Sequence, residues 1–406
     1  MSWSYLKSHP RTLFFALSST IAVVGCLWRR IKRYPSSIFM IPTKENQFII
    51  DQCPSFSEYR PTPWIFNSHL MTILGVVFRP LPQITFHRVV LPVDDHGGTV
   101  AIDWRTKPIP DQPVLLILHG LTGGSDNEYV RWMVSFAHST LNLCCVVVHA
   151  RGCGRSQLTS PRSFSAANTD DLRLSVEYIR SVIGPHTPLF AVGYSLGAGI
   201  LTKYLGEESS KCTLDGSIVC CASFDMLLST ANIEQWLYNR TYNRRLTNNL
   251  IRYIRQHEHH FLKAESLPNL NMNEAYRSRT LREFDRHVIV PQYGYRDVEH
   301  YYTEASSKRW LKYIRTPTLI LSAQDDPICP ISGLPVDEIL QNPSLIAIRT
   351  LEGGHVSYLQ GWWPRTYSYD NTVVVDYIKA RLKQMQYEFP KENHDQNFLN
   401  IHLQST

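Results

Sequence analysis

Nothing in the 406-residue sequence asks for a metal or a disulfide framework. The nine cysteines form no CxxC pair and have no matching histidine spacing. Most sit in apolar runs such as Leu143-Cys144-Cys145-Val146 and Val219-Cys220-Cys221-Ala222, the setting of reduced core thiols. Phosphate-binding signatures are missing as well. There is no P-loop or kinase loop, and Arg151-Gly152-Cys153-Gly154 lacks the third glycine and the acid in Rossmann register, so it reads as a βα turn. Charge of one sign is also scarce: 41 Lys and Arg against 35 Asp and Glu leave +6. That excess is too small and dispersed to point to nucleic acid, though it suits an anionic membrane surface. With 43% hydrophobic and 19% charged residues the chain is not disordered or collagen-like and can bury a substantial core. There is no internal repeat.

Among the runs free of Asp, Glu, Lys and Arg, one stands out by its basic flanks. Thr12 to Trp28 carries no charge and is bracketed by Lys7, His9 and Arg11 before it and Arg29, Arg30, Lys32 and Arg33 after it. Its length sits at the lower edge of the roughly 17 to 25 residues that span a bilayer. A membrane anchor within residues 1–37 is the reading preferred over a cleaved signal peptide or a buried helix, because the basic cluster follows directly and no small-x-small cleavage site precedes it. The positive-inside rule would then keep the remainder of the chain cytosolic.

The body is an α/β pattern. Residues 38–84 are rich in Pro and aromatics without steady periodicity and suggest an irregular arm. Thr85 to Leu91 and Thr99 to Trp104 flank a Gly-Gly turn and predict an antiparallel hairpin. Short, apolar runs follow at Val114–Leu118, Leu143–Val148, Leu189–Val192, Ser217–Cys221 and Thr318–Leu321, and Ile346–Leu351 supplies a last strand. Helix-like stretches at Tyr129–Ser139, Asn168–Ile183 and Leu196–Glu207 separate the early ones. Buried parallel strands with crossover helices make a doubly wound, mostly parallel sheet. The expected core is 85–223 with 310–388, interrupted by a helical cap at 224–309 and followed by a polar tail at 389–406.

Within that frame, Gly193-Tyr194-Ser195-Leu196-Gly197 follows one strand run and opens a helix, the context of the G-x-S-x-G nucleophile elbow and hence of the α/β-hydrolase fold. The glycines answer a steric need, since the serine sits in a strained turn with its hydroxyl projected above the sheet. A serine hydroxyl needs a histidine base held by a carboxylate, in the chain order Ser, acid, His. His355, after Gly353-Gly354 and the last strand, is the best placed of 16 histidines. The acid falls at Asp325 or Asp326 after Thr318–Leu321, with Asp326 preferred because Asp-Pro-Ile-Cys-Pro is similar to the D-x-x-V-P loop ending of many hydrolases. The oxyanion donors are expected at the backbone N–H of Leu196 and, from His119-Gly120-Leu121-Thr122-Gly123-Gly124, of Leu121. His119 itself is expected to fix that turn.

Taken together these motifs, with Leu158-Thr159-Ser160-Pro161-Arg162 and Ala167-Asn168-Thr169-Asp170-Asp171-Leu172, resemble the AB hydrolase 4 group. These are α/β-hydrolase-domain proteins that include membrane-anchored phospholipases and acylglycerol lipases. The resemblance implies a Ser195, Asp326, His355 triad, no metal or organic cofactor, a lipid ester substrate and a single-pass anchor, with the endoplasmic reticulum or another endomembrane as the expected location and no obligate protein partner. An H-x-x-x-x-D spacing, which some members carry with acyltransferase activity, is absent and weighs against transacylation. A small-molecule carboxylesterase and a non-catalytic lipid or hormone receptor on the same scaffold remain the alternatives.

Overall fold

The computed structural model describes residues 23–26, 28, 34–95, 97–262 and 270–386. A nine-stranded sheet in the order β1-β9-β8-β7-β6-β4-β5-β3-β2 organises the body. The strands are β1 Ser37–Met40, β2 His87–Pro92, β3 Thr99–Trp104, β4 Val114–Leu118, β5 Cys144–Val148, β6 Leu189–Tyr194, β7 Gly216–Cys220, β8 Thr318–Ala323 and β9 Leu345–Thr350. From β5 across β4, β6, β7 and β8 to β9 the pairing is parallel, whereas β1 on β9, β2 on β3 and β3 on β5 are antiparallel.

Strand alternation divides the core in two. Leu115 and Ile117 of β4 face one hydrophobic cluster, with α3 (Glu128–Leu141) and the closing helix Tyr369–Gln384; Val114, Leu116 and Leu118 face the other, with α4 (Asp170–Ile183) and α5 (Leu196–Glu208). Both faces being covered explains why the strand runs are apolar throughout rather than alternating.

Between β7 and β8 the chain leaves the sheet for a series of helices, among them Met226–Ile233, Arg244–Gln256, Leu281–His287 and Val298–Ala305. Several start on side-chain caps: Asp225 accepts from Leu228 N–H, Thr280 from Glu283 N–H and Asp297 from His300 N–H. Their apolar faces build a third cluster with Leu158, Phe164 and Ala167.

One expectation needs correction. The arm at 38–84 is not irregular: it holds β1, α1 (Lys44–Gln52) and α2 (Ser68–Val77). Prolines at 61, 63, 80 and 82 isolate α2, and its outer side is apolar too, so it shows no amphipathic period. Asn67 caps it, accepting from His69 and Leu70 N–H. The buried pair of Arg79 and Glu128 joins its far end to α3. The anchor expected over Thr12–Trp28 lies mostly outside the described residues; among those described, no helix is long and apolar enough to cross a membrane.

Candidate active site

The geometry of the elbow follows from its glycines. Ser195 sits at φ 53°, ψ −115°, capping α5, in backbone space costly for a non-glycine residue. A Cβ on Gly193 would lie 2.6 Å from the Gly197 carbonyl oxygen, and one on Gly197 would lie 2.5 Å from that of His119. The turn can therefore close only with glycine at both positions.

Ser195 Oγ lies 2.8 Å from His355 Nε2, and His355 Nδ1 lies 2.8 Å from Asp326 Oδ2. With the carboxylate taking the Nδ1 proton, Nε2 faces the serine as an acceptor, the arrangement in which an imidazole can remove the hydroxyl proton. The other Asp326 oxygen accepts from Ile328 and Cys329 N–H at 2.8 and 2.9 Å, which fixes the carboxylate. Asp325 points elsewhere: its Oδ1 accepts from Gly354 N–H at 3.0 Å, so it shapes the histidine loop rather than touching the ring. Burial pushes its carboxyl up to about 6.

The structure brings Leu121 and Leu196 to the same cavity as Ser195 and His355. Leu196 heads α5, where the first N–H groups lack intrahelical partners. The glycine loop carrying Leu121 is held from three sides. Tyr129 Oη accepts from Gly120 N–H at 2.8 Å, Gly123 N–H donates to the Gly120 carbonyl at 3.0 Å, and His119 Nδ1 lies 2.7 Å from that same oxygen. His119 Nε2 accepts from Ala150 N–H at 3.1 Å, which leaves the proton on Nδ1 to donate to Gly120. Burial, helped by nearby His149, pushes this imidazole down to about 3, so it is neutral and serves as a brace.

Three residues escaped sequence reasoning. Thr72 Oγ1, on α2, accepts from His355 N–H at 2.9 Å while donating to the Ser68 carbonyl at 2.8 Å. Gly75, one turn on, lets α2 approach the histidine loop so closely that a Cβ would meet Ser357 Oγ. Asp285, from the inserted helices, is a buried carboxyl in the cavity wall; its Oδ2 accepts from Tyr302 Oη at 2.8 Å, and burial pushes it up to about 7. None has a local motif, because each acts across more than 10 residues of sequence.

The cavity beside Ser195 is about 380 Å³ and mostly apolar, with walls from Ile73, Leu121, Ile200, Met226, Leu250 and Ile289. Cys221, Asp326 and His355 present ligand atoms within 4.8 Å of one another, close enough for a cation. Their donors are already engaged, however: both Asp326 oxygens and both His355 nitrogens are hydrogen-bonded, and burial pushes the Cys221 thiol well up, keeping it protonated.

A doubly wound sheet with a strained serine at a strand-to-helix turn, facing a histidine from the loop after the last strand, defines the α/β-hydrolase class. The chain belongs to that family, whose model, described as alpha/beta hydrolase fold, matches residues 113–361. Among its relatives is a protein of Mus musculus named phospholipase ABHD3, 30% identical over 346 residues that cover 83% of this chain and 82% of that one. A monoacylglycerol lipase of Saccharomyces cerevisiae is 37% identical over 254 residues, 62% of this chain and 55% of that one. Monoacylglycerol lipase ABHD2 of Mus musculus is 28% identical, covering 88% of each chain.

Proposed function

We propose that this protein hydrolyses carboxylic esters of lipids through an acyl-enzyme on Ser195, as a member of the AB hydrolase 4 group. The observation that carries the reading is the unbroken hydrogen-bonded line from Ser195 Oγ through His355 to Asp326, at 2.8 Å per step, opening on an apolar cavity. His355 Nε2 takes the hydroxyl proton as Ser195 Oγ bonds to the ester carbonyl carbon. The oxyanion is met by the Leu121 and Leu196 N–H groups. His355 returns the proton to the departing alcohol, then takes one from water as the water oxygen bonds to the acyl carbon, and hands it to Ser195 Oγ as the acyl–serine bond breaks and the fatty acid leaves. The names of the relatives, phospholipase and monoacylglycerol lipase, support a lipid ester over a small soluble one. The cavity supports the same choice, since its apolar wall suits an acyl chain. The uncharged run Thr12–Trp28 with its basic flanks supports attachment to a membrane.

The test is labelling by a fluorophosphonate followed by hydrolysis of a lipid panel. Wild type should label and release fatty acid from a phospholipid or an acylglycerol, while Ser195→Ala should do neither, with a rate loss of roughly 10⁴-fold or more. A folded wild type that resists labelling would sink the reading in favour of a receptor.

A further inference from the structure

The rim of the cavity is built unlike the rest of the surface. One side of α2 is buried, with Met71 in a small core and Gly75 against the histidine loop. Its other side is apolar and open: Leu70 is 50% exposed, Val76 59% and Val77 72%. Val76 and Val77 also line the cavity, so they stand at its mouth. Two further apolar groups adjoin this helix. On one flank His69 packs on Tyr238 and Tyr242, with Nδ1 2.9 Å from Tyr242 Oη, and just before them come exposed Trp236 and Leu237. On the other flank Trp64 packs on Trp363 and donates to the Trp362 carbonyl at 2.6 Å, and both of those tryptophans are exposed.

The charges follow the same outline. Residues 59–93, 235–257 and 353–369 contain no Asp or Glu, and the middle segment carries Arg240, Arg244, Arg245, Arg252 and Arg255. Arg240 lies over the Trp236 ring at 4.8 Å. Among the described residues Arg240, Arg244 and Arg245 form no ion pair, although Arg244 donates to the Ser278 carbonyl. An apolar rim with tryptophans at its flanks and unpaired arginines beside them is the composition of an interfacial surface. Anionic head groups complement such arginines at a bilayer. Continuity of the rim with the cavity is what selects lipid over a protein partner, because an ester in a bilayer must pass this mouth to reach Ser195.

We propose that α2, Trp236-Leu237 and Trp362-Trp363 form one docking face that seats the cavity mouth on an anionic lipid surface, so that the ester enters without crossing water. The inference rests on the lipid-ester reading of the site, and its test separates the two. The full-length protein is given a vesicle-borne ester, in phosphatidylcholine with and without phosphatidylserine, and a soluble short-chain ester. A Leu70→Glu, Leu237→Glu double variant should keep the soluble rate, since neither residue lines the cavity. Its vesicle rate should fall roughly tenfold or more, the cost of losing two side chains from the interface. The wild-type vesicle rate should rise with phosphatidylserine and fall with salt. An unchanged ratio of vesicle to soluble rate would overturn the proposal.

Binding is read separately in Ser195→Ala, from quenching of tryptophan fluorescence by bromine-bearing lipid. Part of that quenching should disappear when Trp236 and Trp363 become Phe, and its full persistence would overturn the docking face. Wild type that is quenched through these tryptophans yet cleaves no vesicle-borne ester would sink the lipid-hydrolase reading and leave the docking face standing. A lipid-free dimer dissolved by Leu70→Glu would overturn the proposal in favour of a contact between two copies of this chain.

Discussion

Adjacent carboxylates can do different work when the backbone between them turns. Asp326 gives one oxygen to His355 Nδ1 and the other to two backbone N–H groups, whereas Asp325 faces away and accepts from Gly354. Asp326→Asn should therefore lower kcat by roughly 10⁴-fold while the protein stays folded, because the imidazole loses its tautomer and its counter-charge. Asp325→Asn should leave kcat within a few fold and change the pH dependence of stability instead. Its carboxyl, ordinarily ionised above 3.8, is pushed up to about 6 by burial. Between those values the folded state holds a proton that the unfolded state has released, so stability falls as pH rises from about 4 to about 6 and levels off beyond. In the Asn variant that contribution vanishes. Thermal denaturation at pH 4, 5, 6 and 7 checks the slope, and steady-state kinetics checks the rate.

Ser195, Asp326 and His355 were legible in the sequence because each follows a strand run in a fixed order, and a strand end fixes where a side chain emerges. The preference for Asp326 over Asp325 rested on the proline-containing loop ending. The structure supplies the reason for that pattern: Asp326 caps the turn through Ile328 and Cys329. Asp285 was not legible. It is one of two acids in the short helix Leu281–His287, and only the packing of that helix against Tyr302 turns it into a buried carboxyl.

At the scale of elements, the sheet was readable where both faces are buried, because unbroken apolar runs such as Val114–Leu118 leave little choice but a central strand. Edge strands are harder. β1 is only four residues, all partly exposed, and its existence depends on β9, some 300 residues later in the sequence. α2 was missed for a related reason, since a helix apolar on both its core and outer sides gives no period to detect. Yet α2 carries Thr72, whose hydroxyl holds the His355 backbone, and Gly75, whose missing side chain sets the approach of the helix to Ser357. Thr72→Val keeps the shape and removes the acceptor. It should lower kcat about tenfold with little change in Tm, as the loop loses one of its positioning bonds. Gly75→Val places a branched side chain against Ser357 and should cost more in both rate and Tm. If Thr72→Val matched wild type in kcat, α2 would be packing for the loop and not its support.

The whole molecule is larger than the stretch its family model spans. Residues 113–361 include Ser195, Asp326 and His355 but omit β1, β2, β3, α1, α2 and the closing helix Tyr369–Gln384. That helix alone sends Tyr369, Val373, Val374, Tyr377, Ile378 and Leu382 into the core. Each such side chain contributes about 1.5–3 kcal/mol on burial, against a net stability of only about 5–15 kcal/mol for a domain. A chain cut to 113–361 should therefore be insoluble or unfolded, with a bare β5 edge where β3 had paired. A chain of residues 34–386 keeps every strand of the described residues, α2 and the closing helix, and should remain soluble, fold cooperatively and label at Ser195. The decisive intermediate is 85–386, which starts where sequence patterns alone would begin the core. It retains the sheet except β1 but loses Thr72 and the Arg79 partner of Glu128, a buried acid that burial already pushes up to about 8. Removing Arg79 leaves that acid unpaired, so 85–386 should show a lower Tm and slower fluorophosphonate labelling than 34–386. Equal labelling and Tm in the two chains would mean that the arm covers the core without supporting the site.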